Sequence, residues 1–152
     1  MRTVVVIGLF IGVSAGMQAQ RAQAPAPAPS SLAAAKTVRC TFPKYAATRW
    51  IEGTPETVMG TDQFAFEIDA INLKARTARV VAGTASVLVS ASTSQTGLNI
   101  IEQTPIGNFI LTTVFTGGRD GASFRAVHSR HLGDPADLPA VSQYFGSCEI
   151  VR

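Results

Sequence analysis

Acidic residues are missing from the first third of the chain, and cysteine, histidine and tryptophan are scarce throughout it. All 10 Asp and Glu lie after position 50, and the 152 residues hold two Cys, two His and one Trp. Each scarcity excludes something. Cys40 and Cys148 have no neighbouring His or second Cys, so neither belongs to a local metal-ligand motif. A basic stripe is absent as well. Arg2 and Arg21 precede the folded part, so from Lys36 onward 13 − 2 = 11 Lys and Arg face 10 Asp and Glu, a balance of +1. Binding to nucleic acid calls for clustered positive charge with aromatic platforms, and that role is excluded. Long apolar runs are absent beyond Val4–Val13, and that run is too short for a membrane helix of about 20 residues. No stable membrane span is therefore expected in the mature chain. After Lys36 no stretch sustains a helical period, so the fold class is not α.

What is present begins with Arg2 followed by the apolar run, the pattern of a secretory signal. Residues 1–24 are read as a signal peptide, with cleavage near 19 or near 24. Residues 25–35 follow as an Ala/Pro/Ser linker, since alternating Ala and Pro makes an extended spacer with little to bury. Residues 36–152 are then a single domain with one core. An exported chain meets an oxidising space, periplasmic or extracellular, so Cys40 and Cys148 are expected to form a structural disulfide.

Short strands fill the domain. Thr37–Phe42 alternates Val38, Cys40 and Phe42 on one face, and Pro43 is expected to end it. Gln63–Ile71 sets Phe64, Phe66, Ile68 and Ala70 against Ala65, Glu67 and Asp69, apolar face inward. Further strands follow at Arg79–Ala82, Ser86–Ser90 and Leu98–Glu102. Phe109–Thr116 and Ser123–His128 flank a turn at Gly117-Gly118-Arg119-Asp120-Gly121, and Tyr144–Val151 closes the chain. A short helix is expected between Asp134 and Gln143, where Asp134-Pro135 resembles an N-cap and first helical residue. Turn signals at roughly ten-residue spacing predict an all-β fold, an antiparallel meander of about eight strands, barrel or sandwich, with its terminal strands joined by the disulfide. The predicted core is Phe64, Phe66, Ile68, Phe109, Leu111 and Phe115, with Trp50 as a further anchor.

One polar cluster stands out: His128, Arg130, His131 and Asp134. Two imidazoles and a carboxylate are acceptable zinc ligands, and a His–Asp pair behind Ser129 or Ser142 would make a hydrolytic triad. On a strand, however, residues three apart point to opposite faces, so His128 and His131 meet only if the chain bends after Arg130. No nucleophile elbow surrounds either serine, and no phosphate loop exists in the Gly-rich turn. Neither a metal nor any other cofactor is expected.

Phe66–Ile71, Val127–His131 and Ser142–Cys148 resemble segments of small exported bacterial β-rich proteins that carry no assigned activity. The resemblance spans Cys40 to Cys148 and implies a fold and a destination, but no catalytic residue. The lipocalin Gly-x-Trp signature is absent, since Thr48-Arg49 precedes Trp50. The expected function is a non-enzymatic envelope or extracellular module. The alternatives are a carrier of a small apolar ligand in a barrel lumen, and a hydrolase or metal-dependent enzyme using His128, His131 and Asp134.

Overall fold

The computed structural model describes residues 31–117, 122–134 and 137–151. The expected signal peptide, most of the linker and the tip of the Gly-rich turn lie outside these residues. Eight strands follow a short 3-10 helix at Leu32–Ala34: β1 (Val38–Ile51), β2 (Thr54–Asn72), β3 (Thr77–Ala82), β4 (Ala85–Thr93), β5 (Gly97–Gln103), β6 (Phe109–Phe115), β7 (Ser123–Asp134) and β8 (Asp137–Ile150). Every strand pairs antiparallel with its sequence neighbours, and β8 returns to β1, so the meander closes into a barrel. Closure satisfies the backbone donors and acceptors that an open sheet would leave at its edges.

Cys40 stands directly opposite Cys148 in the closing β1–β8 ladder. Both side chains are fully buried and are joined by a disulfide across 108 residues of sequence. The first and last strands are thus held by hydrogen bonds and a covalent link. Turn chemistry follows the glycines where it must. The β1–β2 turn uses Glu52 and Gly53, both at positive φ (49° and 80°), the left-handed pair that a two-residue hairpin turn requires.

The core fills the lower half of the barrel. Phe42, Phe66, Ile68, Ile71, Leu98, Ile100, Val114 and Phe124 are buried there with the disulfide. Leu32 and Ala35, within the stretch expected to be linker, are buried against the same cluster. They close the lower end, where the turns after β2, β4 and β6 also lie. The aromatic bulk comes from β1, β2 and β7, and the wall made by β3–β6 supplies Ala, Val, Ile, Leu and Thr. Large against small fills a narrow bore.

That division explains a reversal in β6. Thr112 and Val114 are the buried pair, while Phe109 is 40% exposed and Leu111 and Phe115 are only half-buried. Register decides the face: Thr112 pairs with Ile100 on one side and with His128 on the other, both of them buried. In a two-residue period, this fixes every other side chain of β6. Three of the six residues predicted for the core, Phe109, Leu111 and Phe115, therefore face outward.

Bulges correct two further expectations. Pro43 does not end β1; the strand runs on to Ile51, with register shifts between Phe42 and Lys44. A bulge accommodates a residue that cannot donate to the ladder. Gly146 sits opposite this irregularity, and a Cβ there would overlap the Thr41 carbonyl. Ala70, expected inside, is exposed and takes a positive φ of 49°. The β2–β3 register shifts at this point, and Ile71 becomes the buried residue instead. Trp50 is 37% exposed rather than a core anchor. By then β1 has run past its last pairing with β8, at Thr48 and Val141, and keeps only its ladder with β2. In place of the expected helix, β8 pairs Val141 with His131 and Ala140 with Leu132, and ladder bonds replace helical ones.

On the outer face, Glu67 pairs with Arg39, and Asp69 with Arg79 through two hydrogen bonds. Those bonds hold the Asp69 carboxyl below its ordinary range. Among the described residues, no helix is long and apolar enough to cross a membrane.

Candidate functional site: the barrel lumen

The strands do not end together. β1, β2, β7 and β8 have 14, 19, 12 and 14 residues, while β3, β4, β5 and β6 have 6, 9, 7 and 7. The upper end is therefore low on one side and open. Beneath that opening the bore is hollow, with a cavity of about 350 Å³. Its walls come from six strands, with Phe64 and Phe66 facing Val80, Val87, Ile100 and Ile110. Polar groups enter at a few points only: Thr112, His128, Arg130, Ser86 and Glu102.

His128 forms part of the inner end of this lumen. The residue is 7% exposed. Four rings surround it: Phe64 at 5.1 Å, Phe66 at 5.2 Å, Phe42 at 5.7 Å and Tyr144 at 5.9 Å between centroids. The Thr112 hydroxyl shares a 2.8 Å hydrogen bond with Nδ1. Burial, with a smaller contribution from repulsion by the Arg130 guanidinium, pushes the imidazole down to about 4. The ring is thus neutral near pH 7, an apolar wall with one polar partner.

Arg130 lies two residues along β7, on the same face and nearer the opening. It is half-buried and donates to the Tyr144 hydroxyl at 3.5 Å, with its guanidinium carbon 6.0 Å from the Tyr144 ring centre. It also lines a cleft above the lumen with Tyr45, Arg49, Asp62 and Tyr144. His131 goes the other way. It is exposed on the outer surface, with its ring 6.4 Å from that of Phe109. β7 continues without a bend from His128 through His131, so the two imidazoles diverge. The Asp134 side chain lies outside the described residues. The four-residue polar cluster is therefore split: His128 and Arg130 share the lumen, and His131 does not join them. Among the described residues, no three His, Cys, Asp or Glu side chains gather in a metal-binding group.

Thr112 in the lumen and Tyr144 in the cleft above it carried little sequence signal. Thr112 sits in an alternating strand whose two faces look alike by composition. Tyr144 in β8 lies six strands from Phe64 in β2 in the chain order, yet both strands flank β1 in the closed barrel and the two rings are 4.9 Å apart. Closure itself, read from the Cys40–Cys148 pairing, is the only signal that would bring them together.

No protein-family model, curated protein or solved structure matches the chain.

Proposed function

We propose that the chain is an exported, non-enzymatic β-barrel module that carries a small apolar molecule in its lumen. Under this reading residues 1–24 are removed on export, residues 25–35 act largely as a spacer, and residues 36–152 are the carrier. The observation that carries the proposal is the apolar cavity of about 350 Å³ inside the barrel wall, sealed below by core and open above. An eight-stranded barrel is near the size at which the bore is either filled by side chains or holds one small ligand. Volumes of about 300–1,000 Å³ with few polar groups are typical of small-molecule sites. The buried disulfide agrees with an oxidising compartment. An enzyme built on His128, His131 and Asp134 finds less support, because His128 is enclosed by rings and His131 points outward.

Titration with the neutral probe N-phenyl-1-naphthylamine tests the proposal. Saturable binding of one probe per chain is expected, with a blue-shifted emission. Substituting Val87→Trp, on the lumen wall near the opening, is expected to weaken it at least about tenfold by filling the space. An absence of saturable binding would contradict the carrier role.

A further inference from the structure

We propose that the ligand is an amphipathic carboxylate of medium chain length, its tail in the lumen and its head held by Arg130 and Tyr144. This rests on the carrier reading and adds the chemistry of the polar end.

Among the described residues, the ion pairs are Arg39 with Glu67 and Arg79 with Asp69, both on the outer surface. Among the described residues Arg130 has no carboxylate partner, although it is half-buried and lines the lumen. A guanidinium drawn partly out of water is costly unless paired, and its planar fork matches a carboxylate in two parallel hydrogen bonds. Among the described residues, the side-chain polar group it meets is the Tyr144 hydroxyl oxygen, which accepts from it. The phenolic hydrogen is left available to donate, so two donors converge at the top of an apolar bore. The nearby ring of His128 is neutral and brings no competing charge.

Among the described residues the remaining charges do not cancel this one; the side chains of Asp134 and Asp137 lie outside them. Glu102 lines the lumen from β5, two strands away, since it pairs with Ile110 and Ile110 pairs with Arg130. Two strand spacings are about 10 Å, and no bond joins Glu102 to Arg130. Its charge steers an anionic head away from β5 and toward β7 and β8. Arg49 and Asp62 line the cleft above with Arg130; they have opposite signs and leave no net bias.

The test displaces N-phenyl-1-naphthylamine from the oxidised protein at neutral pH with decanoate, decan-1-ol or decyltrimethylammonium. Decanoate is expected to compete best, by about tenfold over the ammonium ligand, the scale of one charge-assisted hydrogen bond. Arg130→Gln is expected to weaken decanoate about tenfold more than it weakens decan-1-ol, and Tyr144→Phe to weaken decanoate by a smaller factor in the same direction. If Arg130→Gln fails to fold, Tyr144→Phe alone decides, because it keeps the ring and removes only the hydroxyl. Equal losses for acid and alcohol, or preference for the ammonium ligand, would overturn the carboxylate assignment and leave the carrier reading standing. If none of the three competes and the probe itself does not bind, the carrier reading fails with it.

Discussion

His128 shows how a titratable residue is absorbed into a wall. Its ring is buried among Phe42, Phe64, Phe66 and Tyr144 and hydrogen-bonded to Thr112. Burial, aided by repulsion from Arg130, lowers its pKa from the ordinary 6.5 to about 4, and this gives stability a definite pH dependence. Above pH 6.5 the ring is neutral in both folded and unfolded chains and adds no slope. Below 6.5 the unfolded chain takes up a proton that the folded chain refuses, so stability falls. The slope is at most about 1.4 kcal/mol per pH unit, and it ends as the pH passes the folded value. Urea unfolding from pH 7 to pH 4 should show this loss in the native protein. In His128→Gln, which keeps a polar partner for Thr112 but does not titrate in this range, the loss should be smaller. Parallel declines would contradict a buried neutral histidine. The sequence marks His128 and Arg130 as noteworthy but groups them with His131, and a two-residue period argues against that grouping. What it hides is the enclosure, because the four rings come from β1, β2 and β8, far apart in the chain.

At the scale of elements, the closing ladder between β1 and β8 carries the Cys40–Cys148 bond. This bond spans 108 residues, and the chain-entropy model assigns about 4–5 kcal/mol to a loop so long. Domains of this size have about 5–15 kcal/mol in all. The denatured oxidised protein should therefore show no free thiol, and reduction should move the urea midpoint by an amount equivalent to several kcal/mol. Two titratable thiols, or a change under about 1 kcal/mol, would contradict the role given to the bond. Strand existence and order are legible in the sequence because alternation and turn residues are local. The side each strand presents is less so. Phe66 and Ile68 are read correctly, since Glu67 and Asp69 mark the opposite face. In β6 both faces mix apolar residues with threonine, and the pairing of Thr112 with His128 decides it. Ala70 and Pro43 are misread for one reason: a bulge shifts the period by one residue, and composition alone does not reveal where.

For the whole molecule, unequal strand lengths turn a closed barrel into a vessel. The lower half is packed around the disulfide and capped by Leu32, while the upper half keeps a hollow bore open at the low side. Barrel closure is foreshadowed by two cysteines at the ends of the domain. The hollow is not, because small residues on β3–β6 serve a filled bore and an empty one equally well. A second groove of about 640 Å³ lies on the outer surface along Phe115, Val127 and Phe145, over Gly146, so an apolar molecule has two places to go. Amide chemical-shift mapping separates them. On titration of isotopically labelled, oxidised protein with decan-1-ol, saturable shifts are expected at Val80, Ile100, Ile110, Thr112 and His128, with Phe115, Val127 and Phe145 little changed. Shifts confined to the outer groove, or none that saturate, would contradict a ligand-binding lumen.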